Sequence, residues 1–136
     1  MTLDHESQTL VVDFMAGDLV VVAPNLPVDV VAAVLADHDI GGLPVVDGAG
    51  RLVGVVSQTD LVRLQASPVP WSAWSVLQVR DVMTQPAVTI RGSASLREAA
   101  RAMTERDVDR LVVVGDDTET ALGVISDSDL VRAFAR

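Results

Sequence analysis

Two places in the chain carry a serine followed three residues later by an aspartate, Ser57 with Asp60 and Ser126 with Asp129. These residue types suit a small polar ligand, because an ionised carboxylate offers acceptor oxygens to two neighbouring hydroxyl groups. A helix that begins at each serine also presents free backbone N–H groups to an anion. The same spacing is typical of a helix capping box, which needs no ligand. Both interpretations apply at each position.

The two serine-aspartate pairs belong to an internal repeat. Residues 52–63 return as residues 121–132 with seven of twelve positions identical, and Gly-Val-Val or Gly-Val-Ile precedes each serine. Residues 11–15 and 79–83 open the two copies, and each contains Asp-x-Met. The offset is 68 residues for the opening segments and 69 for the later ones, so the second copy has one extra residue, which we place in the turn at 115–120. A repeat that fills nearly the whole chain governs how every other feature is interpreted.

The elements that position these motifs follow from hydrophobic periodicity and turn residues. For the first copy the pattern predicts a short segment at 11–15, a strand at Leu19–Val22, a helix at Val28–Asp37 ended by Gly41 and Gly42, strands at Leu43–Val46 and Leu52–Val56, and a helix from Ser57 through Leu64. The second copy repeats this order, with a helix capped by Ser95 and Glu98 and strands at Leu111–Val114 and Ala121–Ile125. Each copy therefore has the order β-α-β-β-α, and the fold class is α/β (α+β).

The composition describes a folded protein and narrows its partners. Hydrophobic residues make up 49% of the 136 residues and charged ones 21%, which is typical of a globular chain. The net charge of −9 argues against binding a nucleic-acid backbone, which requires Lys and Arg. No segment is typical of a membrane span or a signal peptide. Because the chain has no cysteine, disulfides and thiolates are excluded, and we expect a cytoplasmic protein.

The duplicated unit, with Gly-Val-Val-Ser-x-x-Asp closing its third strand and Asp-x-Met at its start, resembles the CBS domain. Two such units in tandem resemble a CBS pair, or Bateman module, over roughly residues 11–135. We place the first repeat at residues 11–66, a connector at 67–78 and the second repeat at 79–135. The resemblance implies a stand-alone regulatory module in which the two repeats pack with pseudo-two-fold symmetry. It also implies a homodimer.

The CBS resemblance implies an adenosine-containing ligand, such as AMP, ADP, ATP or S-adenosylmethionine, in the cleft between the repeats, and no required cofactor. It assigns Asp60 and Asp129 to the ribose hydroxyls, and Ser57 and Ser126 to the neighbourhood of a phosphate. Helix capping alone does not explain why Gly-Val-Val or Gly-Val-Ile precedes both serines. That recurrence favours ligand binding at one or both places.

The repeats differ where the family's adenine contacts would lie. Ile40, Gly42 and Pro44 match the family's stretch ending in Leu-Pro-Val, whereas the second copy has Val112 in place of the proline. The resemblance therefore implies a better adenine contact in the first copy.

A second difference concerns a cation. Arg110 stands where the family often has an arginine that reaches phosphate across the cleft, which would serve the site of Asp60. Alternatively, Arg110 pairs with Asp107 or Asp109 at the surface. One arginine in so acidic a protein favours a ligand of low negative charge, AMP or S-adenosylmethionine, over ATP.

The connector holds two tryptophans, Trp71 and Trp74, after Pro70. On a short helix begun by this proline we expect both to share one face. They either clamp the connector onto the domain or contact a partner chain.

Metal binding and catalysis find little support in the sequence. The adjacent residues 37–39 at a helix end would point in different directions, and residues 116–119 lack the spacing of a calcium loop. There is no Cys or Lys nucleophile, and neither His5 nor His38 accompanies a serine elbow. We expect neither a metal site nor a catalytic residue.

We therefore expect a regulatory module, not an enzyme, that senses an adenosine-containing ligand. Since no output domain accompanies the repeats, an effector protein in trans would read the signal. The alternative is a dimerisation or protein-interaction module whose nucleotide sites are degenerate and unoccupied.

Overall fold

The computed structural model describes residues 9–15 and 19–135, which form two compact units. Residues 20–87 make one unit, which we call the Asp60 unit. Residues up to 19 and from 88 onward make the other, which we call the Asp129 unit. None of the described helices is long and apolar enough to cross a membrane. Each unit contains one of the two serine-aspartate pairs.

The Asp60 unit is built on an antiparallel hairpin. Its elements are α1 (Val28–Asp37), β1 (Gly42–Val46), β2 (Leu52–Ser57), α2 (Gln58–Ala66) and α3 (Val79–Val82), with a short 3-10 helix at Trp71–Ala73. In the hairpin turn the backbone N–H groups of Arg51 and Ala49 donate to the Asp47 carboxylate, both at 2.9 Å. These bonds, above all the one from Arg51, hold the pKa of Asp47 below its usual value.

The Asp129 unit has a third strand in its sheet. Its elements are a 3-10 helix at Val11–Asp13, β3 (Thr89–Arg91), α4 (Leu96–Arg106), β4 (Arg110–Val114), β5 (Ala121–Ser126) and α5 (Asp127–Phe134). β4 pairs with β3 in parallel and with β5 in antiparallel orientation. The mixed α/β class is confirmed.

Most predicted elements are confirmed. The helix Val28–Asp37 has its predicted bounds, and each of the four hairpin strands is one residue longer than predicted. Ser57 and Ser95 cap helices as predicted, each within a complete capping box. Hydrophobic spacing and capping residues were sufficient signals for these elements because both act locally.

The predicted strand Leu19–Val22 is wrong, because the Asp60 unit forms only an isolated bridge there. Val22 pairs in parallel with Val45. Its N–H donates to the carbonyl of Pro44 at 3.1 Å, and its carbonyl accepts from the N–H of Val46 at 2.9 Å. The equivalent place in the Asp129 unit is the strand β3.

Two prolines of the Asp60 unit remove hydrogen bonds from the parallel pairing around Val22. In the Asp129 unit the N–H groups of Val112 and Gly92 donate, each at 3.0 Å, to the carbonyls of Val88 and Val114. The residues equivalent to the two donors are Pro44 and Pro24, and proline has no N–H. One hydrogen bond is therefore lost on each side of Val22.

The predicted role of Gly41 and Gly42 in ending the helix is wrong, although the helix has its predicted bounds. α1 stops before these glycines, and Gly42 instead begins β1. The left-handed residue that follows the helix is Asp39, with φ 50°, and Asp107 follows α4 with φ 52°. Aspartate tolerates this conformation better than most residues, so a glycine is not needed to end either helix.

Each opening segment packs within the unit of the other sequence repeat. Val11 is buried in the apolar core of the Asp129 unit, and its N–H donates to the carbonyl of Ala94 at 2.8 Å. Val79 is buried in the core of the Asp60 unit, and its N–H donates to the carbonyl of Leu26 at 2.9 Å. Both repeats therefore contribute residues to each core.

Thr84, which directly follows the opening segment of the second repeat, pairs antiparallel with β2 beside Gly54. Thr84 exchanges two backbone hydrogen bonds with Val55, at 2.8 and 2.9 Å. A Cβ atom on Gly54 would lie 2.8 Å from the carbonyl oxygen of Thr84 and 2.9 Å from the sulfur of Met83. Glycine at this position is thus required by close packing, which gives the Gly-Val-Val motif a structural reason.

The two connector tryptophans do not share a face. Trp74 is 9% exposed and belongs to the core of the Asp60 unit, whereas Trp71 is 73% exposed. The clamp interpretation therefore applies to Trp74 alone, since the 3-10 helix turns Trp71 outward.

We expect Gly54→Ala to destabilise the protein by about 1–3 kcal/mol, the usual cost of overpacking, because its Cβ meets the backbone of Thr84. The measurement is the midpoint of urea unfolding. Gly48→Ala is the matched control, since a Cβ there meets nothing within 4 Å. Equal midpoints for the two variants would contradict the close approach.

Candidate functional site

The carboxylate of Asp60 is bound at the start of α2. Its Oδ2 accepts from the backbone N–H of Ser57 at 2.8 Å and from the Ser57 hydroxyl at 3.1 Å. In return the N–H of Asp60 donates to the Ser57 hydroxyl oxygen at 3.3 Å. The capping box that the sequence offers as one interpretation is therefore formed.

The other carboxylate oxygen of Asp60 faces two groups from different segments. Its Oδ1 accepts from the hydroxyl of Thr84 at 3.0 Å and lies 3.8 Å from a guanidinium nitrogen of Arg63. The Asp60 side chain is only 4% exposed, whereas that of Arg63 is 74% exposed. A buried carboxylate thus lies beneath two groups that belong to exposed residues.

Asp129 repeats this arrangement with a different partner. Its Oδ2 accepts from the N–H and the hydroxyl of Ser126 at 2.8 and 3.1 Å. Its Oδ1 accepts from the guanidinium of Arg132, which occupies the place of Arg63 in the repeat. The Asp129 side chain is 17% exposed, more than that of Asp60.

The residues predicted to contact adenine begin next to the serine-aspartate capping box of the Asp60 unit. Gly42 pairs with Ser57 across the hairpin, and the loop before it is tied to α2 because the N–H of Gln58 donates to the carbonyl of Gly41 at 2.9 Å. Ile40, just before this loop, is half-buried. The structure therefore brings Ile40 and Gly42 to the same end of the hairpin as Asp60.

Pro44 lies further along the hairpin. It pairs with Val55, and its side chain is fully buried. Its missing N–H also shortens the neighbouring ladder. Pro44 therefore has a clear structural effect in addition to the contact that the CBS resemblance implies.

Arg110 is paired with its neighbour in sequence. It begins β4 opposite Ser126, and its Nε and Nη2 donate to the two oxygens of Asp109 at 3.1 and 3.2 Å. The pairing alternative is thus present, with Asp109 as the partner. Arg110 and Asp60 belong to different compact units, so the predicted contact of Arg110 with a phosphate at Asp60 stays a prediction.

Two groups of residues at the candidate site are missing from the sequence-based prediction. Arg63 and Arg132 are identical in the two repeats and lie three residues after an aspartate, a spacing that indicates pairing on a helix. Thr84 had no such signal, because it is 24 residues from Asp60 and its counterpart in the first repeat is Ala16.

Metal ligands do not cluster in the part of the chain that the structure describes, where no three His, Asp or Glu side chains converge. The Nδ1 of His38 instead lies 3.0 Å from the carbonyl of Val34 in its own helix. Asp116 accepts from the hydroxyl of Ser93 at 2.8 Å, which ties down its turn. His5 lies outside the described residues.

A comparison with protein families identifies the family of this chain. The model of the CBS domain matches residues 11–67 and again residues 79–136. The chain belongs to the CBS domain family. Each matched CBS domain carries one of the two serine-aspartate capping boxes, at Asp60 and at Asp129.

Curated CBS relatives include two well-matched proteins. CBS domain-containing protein CBSX2 of Arabidopsis thaliana, a chloroplastic protein, is 32% identical over 147 residues, with 89% of this chain and 61% of the relative covered. The gamma-3 subunit of human 5'-AMP-activated protein kinase is 31% identical over 121 residues, with 86% and 24% covered. The chain therefore spans less than two thirds of either relative.

Solved CBS structures include two with adenosine-type ligands. CBSX2 in complex with AMP has a TM-score of 0.76 and 34% identity, and the match covers 93% of this chain and 96% of that one. The CBS domain pair of protein MJ0100, in complex with 5'-methylthioadenosine and S-adenosyl-L-methionine, has a TM-score of 0.81 and 25% identity, with the same coverage. CBS pairs of this fold thus hold adenosine-containing ligands in those proteins.

We expect Ser126→Ala to lower the stability of this CBS protein by about 1 kcal/mol, because its hydroxyl caps α5. Chemical unfolding measures the loss. Ser128→Ala removes an exposed serine from the same helical turn and should leave stability within about 0.5 kcal/mol of the wild type. Equal free energies of unfolding for the two variants would contradict a stabilising role of the cap.

Proposed function

We propose that this CBS protein is a regulatory module that binds an adenosine-containing ligand and does not catalyse a reaction. The observation that carries the proposal is the match, at 34% identity over 93% of the chain, to CBSX2 in complex with AMP. The human kinase subunit supports a regulatory role, because its name makes it a subunit of an AMP-activated enzyme. AMP, ADP, ATP and S-adenosylmethionine are the ligands to test.

The proposed contacts follow the capping boxes. Asp60 and Asp129 take the ribose hydroxyls, for which Oδ1 of each carboxylate is the better placed oxygen, since Oδ2 already accepts two bonds from a serine. Ser57 and Ser126 lie at the starts of α2 and α5, where the helix dipole favours an anion.

The remaining contacts are assigned to the adenine and to one phosphate. Ile40, Gly42 and Pro44 would meet the adenine, and their position on the hairpin beside Ser57 supports this role. Arg110 would exchange Asp109 for a phosphate. In that exchange the Arg110 side chain, which is 15% exposed, would keep a negatively charged partner, and the Asp109 side chain, which is 52% exposed, would turn to water.

Regulation would follow from a shift between two states of the protein. A ligand shifts such an equilibrium only by its difference in affinity for the two states. We propose that an effector protein in trans reads this shift and that the module is a homodimer. Val62 and Val131, at equivalent places on α2 and α5, are 59% and 68% exposed, which supports an apolar contact with a second chain.

For the location we propose the cytoplasm, because a chain without cysteine fits a reducing compartment.

A second function, protein interaction with empty nucleotide sites, is favoured by one observation. Both oxygens of each candidate carboxylate already accept hydrogen bonds from the chain itself. Trp71 and Val76, in the connector, are 73% and 77% exposed and would contact the partner. Ligand binding separates the two functions.

We expect at least one of AMP, ADP, ATP, S-adenosylmethionine and NAD to raise the melting temperature. At a hundred times its dissociation constant a ligand stabilises the folded state by about 2.7 kcal/mol. Differential scanning fluorimetry measures the shift. Asp60→Asn and Asp129→Asn each keep a capping oxygen, and the loss of the shift in one of them identifies the site. Flat melting curves with all five ligands at millimolar concentration would favour the interaction module.

We expect Arg110→Ala to weaken AMP by about ten- to a hundredfold and adenosine less than twofold, because a charged hydrogen bond to phosphate contributes about 1.5–3 kcal/mol. Isothermal titration calorimetry measures both affinities. Arg101→Ala removes the same charge from an exposed position of α4 and controls for the overall field. Equal losses for AMP and adenosine would contradict the phosphate contact.

A further inference from the structure

We propose that Thr84 competes with the ribose of the ligand for the carboxylate of Asp60, and so lowers the affinity of that site. The proposal rests on the proposed function, in which Asp60 binds the ribose hydroxyls. It assigns Thr84 a role that the serine-aspartate motif does not contain. Thr84 is thus a specificity-determining residue that distinguishes the two candidate sites.

Most acceptor positions of the Asp60 carboxylate are already occupied. A carboxylate has about four lone-pair positions, two on each oxygen. The N–H and hydroxyl of Ser57 take those of Oδ2, and these two bonds also fix the orientation of the carboxylate. The hydroxyl of Thr84 takes one position of Oδ1 at 3.0 Å. One position remains, which is too few for the two hydroxyls of a ribose.

A threonine is not required for the orientation of these carboxylates. The same two bonds to Oδ2 form at Asp129 with the same distances, although the partner of Oδ1 there is Arg132 and not a threonine. The bond from Thr84 therefore uses acceptor capacity of Asp60 that the shared orientation does not depend on.

The backbone of Thr84 is held in place by β2. Its backbone exchanges two hydrogen bonds with Val55 next to the close contact at Gly54, so its Cα is fixed relative to β2. The residue itself is exposed. A ligand that displaces the hydroxyl leaves it free to bond water, so the competition is reversible and modest.

The two repeats differ at the position of Thr84. The residue equivalent to Thr84 is Ala16, which has no hydroxyl to donate. At Asp129 the competing group is the guanidinium of Arg132, on a side chain that is 70% exposed. Among the residues that the structure describes, a threonine hydroxyl bonds the motif aspartate only at the Asp60 site.

The test compares the affinity of AMP for Thr84→Val and Thr84→Ser, each in an Asp129→Asn background that leaves the Asp60 site intact. The readout is isothermal titration calorimetry. Thr84→Val removes the donor at nearly constant volume, and we expect AMP to bind it two- to tenfold more tightly, the range of one net hydrogen bond. Thr84→Ser keeps the hydroxyl and should bind AMP as the parent does. Thr84→Ala serves as a second donor-free variant should the valine variant fold poorly.

The opposite sign overturns the competition. If Thr84 contacted the ligand, Thr84→Val and Thr84→Ala would bind AMP more weakly than the parent, and unchanged affinity would show that Thr84 has no effect on the site. In both cases AMP binding itself continues, so the proposed function survives. If no variant with intact Asp60 binds AMP while all of them are folded, the competition and the AMP site both fail.

Discussion

The hydrogen bonds from a serine to one oxygen of an aspartate are the interaction on which both units depend. In each unit the serine ends the last strand of the hairpin and caps the helix that follows, with distances of 2.8 and 3.1 Å in both. The negative charge at the start of the helix is favourable in itself. Because these bonds engage Oδ2, only Oδ1 is left for other chemistry. The cap therefore determines how each candidate site can bind a ligand.

The fold was predictable where its signals are local. α1 and the hairpin strands follow from spacing and turn residues that act within a few positions. The strand expected at Leu19–Val22 does not form. Pro44, more than twenty positions away in the sequence, lacks the N–H that a longer parallel pairing requires. Only knowledge of the parallel pairing reveals that effect. Trp71 and Trp74 were separated for a similar reason, since the core of the unit selects one of them.

The candidate site was predictable to the same extent. The repeat identifies Asp60 and Asp129, and hairpin pairing explains why Gly42 lies beside Ser57. The Gly-Val-Val of the first repeat, however, has a structural reason in the close approach at Gly54, so this copy of the motif adds less support for a ligand. Thr84 was out of reach of the sequence, because the opening segment of one repeat packs in the unit of the other.

The two candidate sites differ through residues outside the motif they share. Under the proposed function Pro44 and Arg110 would favour the Asp60 site, whereas the bond from Thr84 and the deeper burial of Asp60 would disfavour it. At Asp129 a ligand would compete with Arg132, whose side chain is 70% exposed, for a carboxylate that is 17% exposed. Since one net hydrogen bond contributes about 0.5–1.5 kcal/mol and about 1.4 kcal/mol changes an affinity tenfold, single hydrogen bonds would be enough to decide which proposed site fills first. The duplication therefore supplies two similar carboxylates, and their different neighbours make the sites unequal.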